Sequence, residues 1–127
     1  MHIQEEYIYS EETRKIIGAC FEVHNYLGNG FLESVYQEAL MIEFYKRNIP
    51  FVAEQTLDIW YKEDKLTKFF TADFVCYNKI IIELKAADAI TDDHFGQVIN
   101  YLKAANFKLG LLLNFGTPKL QIKRLIR

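Results

Sequence analysis

The fold class predicted for this chain is α/β, with helices packed on a mixed central sheet. Three observations predict it. Apolar residues recur at helical spacing through residues 10–47, marking amphipathic helices. From residue 51 to 86 the period changes, and β-branched and aromatic residues dominate, as strands require. A further helix-period segment then precedes an apolar run at residues 109–115, the pattern of a buried strand.

The elements follow in order. Ser10 is placed to cap the first helix, with Glu11 and Glu12 in a first turn whose dipole favours them. Ile16, Cys20, Val23 and Leu27 form its apolar side. Gly28-Asn29-Gly30 ends that helix and starts another, over residues 31–47, and Pro50 closes the helical region. Residues 51–61, 66–77 and 79–86 read as three strands, the first two joined by the polar turn Lys62-Glu63-Asp64-Lys65. Thr91 or Asp92 can cap a helix carrying Phe95, Val98, Ile99 and Leu102. Residues 109–115 and 120–126 are the last two strands, separated by Gly116-Thr117-Pro118. The order is ααβββαββ. No repeat, low-complexity tract or linker interrupts it, so a single domain over residues 1–127 is expected.

Composition excludes several classes. With 127 residues, half of them hydrophobic, the chain can bury a core without staples. No apolar run approaches the roughly 20 residues of a membrane span. Residues 1–6 are acidic and unlike a signal peptide, so a cytoplasmic protein is expected. Cys20 and Cys76 lack metal-type spacing and read as reduced core thiols. A net charge of −2 argues against a protein that coats nucleic acid. The distribution is uneven, however: residues 1–64 carry 12 acids and 5 bases, and residues 65–127 carry 5 acids and 10 bases. The basic half either offers a phosphate-facing surface or intermixes with the acidic half in space.

The chemistry-bearing residues centre on Asp73 and the triplet Glu83-Leu84-Lys85. Glu-x-Lys alone is weak evidence, since Glu63-Asp64-Lys65 repeats it in a polar turn. Glu83 and Lys85, in contrast, interrupt the apolar strand Ile80-Ile81-Ile82-Glu83-Leu84-Lys85-Ala86. Alternation puts them on one face, about 6.6 Å apart along the strand, with Ile81. Charges on so apolar a strand are costly unless compensated. Asp73 joins Glu83 on that face only if the hairpin pairs 73 with 83, which demands an odd-length connection centred on Asn78 or a bulge. A two-residue turn would pair 73 with 84 and put Asp73 on the wrong side. The competing reading is a structural acid–lysine pair.

Further candidates lie on the helices. Glu33 precedes Leu40 by seven positions and Phe44 by eleven, so all three point within about 20° of one direction. It is either a site acid or a first-turn acid supporting the helix start. Gln97 and Tyr101 share a helix face distinct from the Phe95/Ile99/Leu102 stripe, as site residues or as polar surface. His94, one turn before Gln97, can approach the same place, and His24 is read as a satisfied helix residue near the Gly28–Gly30 turn.

Asp73…Glu83-x-Lys85 on a hairpin, followed by Gln97-x-x-x-Tyr101 and a buried strand, resembles the PD-(D/E)XK nuclease superfamily, with Ala72 where its name places a proline. More narrowly, Gly30-Phe31-Leu32-Glu33-Ser34-Val35-Tyr36, with Val23-His24-Asn25-Tyr26-Leu27-Gly28 before it and Gln37-Glu38-Ala39-Leu40 after, resembles the GxxExxY protein family. The likeness runs from about residue 16 to residue 115. It implies a restriction-endonuclease-like αβββαβ core with an extra N-terminal helix, and a metal-dependent nuclease ancestry.

On that reading Glu33, Asp73, Glu83 and the Leu84 carbonyl are hard oxygen ligands suited to Mg²⁺ or Mn²⁺. Lys85 orients water or stabilises transition-state charge, Gln97 holds the water or backbone, and Tyr101 and His94 contact substrate. The expected function is phosphodiester hydrolysis on DNA or RNA. The alternative is a non-catalytic nuclease-fold module that binds nucleic acid or a protein partner. Exposed aromatics are compatible with a homodimer, and no membrane partner is expected.

Overall fold

The computed structural model describes residues 8–127; the acidic opening residues 1–6, read above as unlike a signal peptide, lie outside them. Among the described residues there are three helices, α1 (Ser10–Leu27), α2 (Glu33–Lys46) and α3 (Asp92–Ala105). Five strands accompany them: β1 (Phe51–Tyr61), β2 (Asp64–Cys76), β3 (Ile80–Lys85), β4 (Leu109–Asn114) and β5 (Gln121–Ile126). All five strands join one sheet in the order β1-β2-β3-β4-β5. The β3–β4 pairing is parallel and the others are antiparallel. The sheet is therefore mixed, because α3 supplies the crossover that two adjacent parallel strands need.

Strand alternation distributes the core. Ile80, Ile82 and Leu84 face α1 and α2, packing with Ile16, Cys20, Leu40 and Phe44. Ile81 faces α3, packing with Val98, Tyr101 and Leu102. Both cysteines are free and buried, as expected of core thiols. None of the helices is long and apolar enough to cross a membrane.

Two helix starts differ from expectation. Ser10 does not cap α1; Tyr9 occupies the cap position in the left-handed region (φ 57°) and makes no side-chain cap bond. Tyr9 packs against the main core and lies under the Lys79 ammonium at 4.2 Å, so its anchoring sets the entry one residue earlier. Helix α2 begins at Glu33 rather than Phe31. Gly30 sits at φ 113°, and the Phe31 N–H donates to the Tyr36 hydroxyl at 3.2 Å, which holds Phe31 outside the helix.

The hairpin register required by the site is present. Phe74 pairs with Ile82, Val75 with Ile81 and Cys76 with Ile80, so residue 73 falls opposite residue 83. The connection is Tyr77-Asn78-Lys79, with Tyr77 and Asn78 both left-handed (φ 55° and 56°) and the Lys79 N–H donating to the Cys76 carbonyl at 3.1 Å.

The β1–β2 hairpin is longer and less regular. Its turn is the pair Lys62-Glu63, because Tyr61 already pairs with Asp64, and its register shifts between Asp58 and Trp60. A second irregularity sits opposite the site. Ala53 pairs with Phe74 and Gln55 with Ala72, but between them Glu54 is left-handed at φ 51°. Phe51, Ala53, Phe74 and Cys76 pack on the α1/α2 side, whereas Leu57, Phe70 and Ala72 pack on the α3 side. The strand pair rolls from one face to the other at Glu54 and Asp73.

Candidate functional site

The site forms where β2 and β3 part. Their ladder runs from Cys76–Ile80 to Phe74–Ile82, and beyond it side chains replace the backbone pairing. The Leu84 N–H donates to Asp73 Oδ2 at 2.8 Å, and the Asp73 N–H donates to Glu83 Oε1 at 3.1 Å. A residue's N–H and carbonyl point to the same neighbour in a strand, so the Leu84 carbonyl also faces the Asp73 side. Asp73 and Glu83 thus stand across from each other just beyond the ladder, with Glu83 on the face of β3 that Ile81 turns to α3.

Burial shapes their electrostatics. Glu83 is only 5% exposed, and Asp73 is half-buried. Loss of hydration, then the Asp73 carboxylate, push the Glu83 pKa up to about 8. Asp73 is also raised, first by burial and then by Glu33, while the Leu84 N–H and the Lys85 ammonium pull it down. Burial of Tyr101, followed by the charges of Glu83 and Asp73, pushes its phenol to about 12.

The remaining expected residues take distinct positions. Lys85, half-buried on the face of Glu83, acts electrostatically on both acids. Gln97 Nε2 donates to the Tyr101 hydroxyl at 3.0 Å, and Tyr101 is a core residue rather than polar surface. Glu33, in the first turn of α2, is exposed and reaches Asp73 through its charge. His94 closes a capping box: its Nδ1 accepts from the Thr91 N–H at 3.1 Å, and its own N–H donates to Thr91 Oγ1. His24 meets the start of the Gly28–Gly30 turn through its backbone, its carbonyl accepting from the Gly28 N–H at 2.8 Å, while its Nε2 meets the Thr117 carbonyl at 3.0 Å, pinning α1 to the loop before β5.

Three residues have roles that the sequence did not reveal, although Tyr36 and Gln37 stand within and directly after the Gly30–Tyr36 segment. Gln37, one turn after Glu33, places its Nε2 3.4 Å from the Asp73 carbonyl, and the i, i+4 spacing was its available signal. Tyr36 donates to the Gly28 carbonyl at 2.6 Å and stacks on Phe115 with centroids 4.8 Å apart, which fixes the turn that presents Glu33. Asn114, fully buried, accepts from the Ala87 and Gly116 N–H groups and donates to the Ala87 carbonyl and Gln121. It clamps the segment that follows Lys85, and only its polarity at the end of an apolar run hinted at the role.

Among the described residues no group of three or more His, Cys, Asp or Glu side chains is set to hold an ion. The Asp73–Glu83 pair nevertheless fits one: a buried and a half-buried carboxyl facing each other beside a backbone carbonyl are hard oxygens whose mutual repulsion a cation would relieve. Neither curated proteins nor solved structures compared with the chain include a match. A family model, that of the PD-(D/E)XK nuclease superfamily, matches residues 10–125, and with this restriction-endonuclease-like fold it shows that the chain belongs to that superfamily.

Proposed function

We propose that the chain is a divalent-metal-dependent nuclease that hydrolyses phosphodiester bonds in DNA or RNA at Asp73, Glu83 and Lys85. One observation carries the reading: two acids distant in sequence meet across parted strands beside a lysine, at the energetic cost of burying like charges. Such a cost persists where function compensates it. Asp73, Glu83 and the Leu84 carbonyl would hold Mg²⁺ or Mn²⁺, with Glu33 contributing through its charge or through water. The bound ion supplies Lewis-acid polarisation of the scissile phosphate and a more acidic water.

The chain's own groups do the rest. Lys85 places fixed positive charge where the phosphoryl oxygens accumulate negative charge, an interaction typically worth about 3 kcal/mol in the transition state. Gln97 and Tyr101 hold each other in place along the edge of the site, and Gln37 steadies the Asp73 backbone. The sequence Gly30-Phe31-Leu32-Glu33-Ser34-Val35-Tyr36 gains a physical rationale within this proposal. Gly30 permits the turn, Tyr36 pins it, and Glu33 is thereby aimed toward Asp73, in keeping with the GxxExxY resemblance.

The test is incubation with single- and double-stranded DNA and with RNA in Mn²⁺, alongside Lys85→Ala and Asp73→Ala. Loss of at least 100-fold in cleavage rate is expected for each variant. Cutting that survives both substitutions would remove the site from the reaction. A non-catalytic binding module is the second reading, favoured by the exposure of Glu33 and the lack of a third ligand in the cluster. Metal binding without cutting on any of the three substrates would select it.

A further inference from the structure

Two hollows lie side by side between the β1–β2 hairpin and α3, of about 390 and 410 Å³. The outer one is lined by Ile59, Trp60, Phe70, Asn100, Lys103 and Ala104. The inner one shares Phe70 and Asn100 and reaches Gln97 and Tyr101, so the trough runs from the hairpin to the edge of the carboxylate site. From Gln97 to Ala104 it follows α3 for about 10 Å, roughly three phosphate spacings of a stacked strand.

Its chemistry changes along that length. The outer end offers an aromatic surface and a cation: Trp60, 60% exposed, and Lys103 both line the hollow. The inner end carries Asp92 and Asp93. Exposed aromatic faces take up bases only when those bases are unpaired, because in a duplex both faces are already stacked. Among the residues that line the two hollows Lys103 is the single cation, so the trough itself has no row of lysines and arginines to grip a duplex by its phosphates.

We propose that this trough binds a single-stranded stretch of nucleic acid, with Trp60 as a base-stacking platform and Lys103 as a phosphate contact. The inference rests on the nuclease reading for its direction, since the trough delivers the strand to Asp73 and Glu83. It names the substrate as single-stranded or locally unpaired.

Trp60 is the single tryptophan of the chain, so its emission, excited apart from tyrosine, reports directly on the trough. The chain in EDTA is titrated with oligothymidylate and oligouridylate of about a dozen nucleotides, within the range that single-strand-binding grooves occupy, and with a blunt duplex of equal length. Quenching by the single strands and none by the duplex is expected, and the two single-stranded arms separate DNA from RNA. Binding followed by anisotropy of the labelled strand weakens about tenfold in Trp60→Ala. In Lys103→Ala the salt slope of binding falls by about 0.7. Tyr26→Ala, an exposed aromatic on α1 at 86% exposure, leaves both readouts unchanged.

Equal quenching by the duplex overturns the single-strand assignment. Unaltered emission with undiminished binding by Trp60→Ala overturns the trough, even where metal-dependent cleavage persists. Emission that shifts with protein concentration alone assigns the surface to a second copy and also overturns it. Quenching without any cleavage by the wild-type chain in Mn²⁺ supports the trough and sinks the nuclease reading instead.

Discussion

Glu83 carries the largest electrostatic cost among the site residues, because burial and the facing Asp73 hold its pKa at about 8 against an ordinary 4.5. A carboxyl with a raised folded-state pKa contributes stability at pH below the ordinary value and loses it as pH climbs toward the folded value. Metal-free protein should therefore lose stability between about pH 4.5 and 8, read as a falling urea midpoint. Glu83→Gln, which retains an oxygen for the Asp73 N–H, should flatten that slope and stabilise the metal-free fold at pH 8 by about 1–3 kcal/mol. An equally steep slope in the variant would place the cost elsewhere. The facing of Glu83 and Lys85 was legible from alternation in a strand of isoleucines. Gln37, His24 and Asn114 were not legible in their roles. Their partners lie 36, 93 and 27 positions away, and local periodicity carries no information about such contacts.

At the scale of elements, the β2–β3 connection and the α3–β4 contact hold the geometry. Asn78 is left-handed, a conformation that asparagine tolerates and a β-branched residue does not. Asn78→Val should cost about 1–2 kcal/mol by chemical denaturation, and Asn78→Gly should cost nothing. A Cβ at Gly110 would meet Val98 Cγ1 at 2.7 Å, so Gly110→Ala should destabilise by about 1–3 kcal/mol through overpacking. Val98→Ala in the same chain should recover part of that loss, and additive costs would break the account. A Cβ at Gly116 would come within 2.4 Å of the Ala87 backbone, beside the Asn114 clamp. Most element positions were legible because apolar period and turn residues agreed. The required odd-length loop also followed from the demand that two acids share a face. The roll of β1 and β2 did not, since Glu54 gives no local signal of its left-handed backbone, and tertiary packing imposes it.

For the whole molecule, metal binding and folding are linked through one pair of acids. An ion that binds the folded chain alone adds about 2.7 kcal/mol at a concentration a hundredfold above its Kd. Mn²⁺ should therefore raise the melting temperature of the wild-type chain and leave Asp73→Asn nearly unmoved; equal shifts in both would exclude Asp73 as a ligand. The charge asymmetry of the sequence does not survive as two separate regions. Lys79 pairs with Glu12 at 2.8 Å, and Arg124 reaches Thr13 at 3.2 Å, so the halves interleave and only local cation placement has meaning. The roll of the long hairpin has a consequence for cooperativity. One pair of strands seals the helical layer at its inner end and the opposite layer at its outer end, like a single stitch passed through both sides of a seam. Neither layer can then loosen while the other stays closed, and slow amide protons beneath α1 and beneath α3 should exchange with a common opening energy.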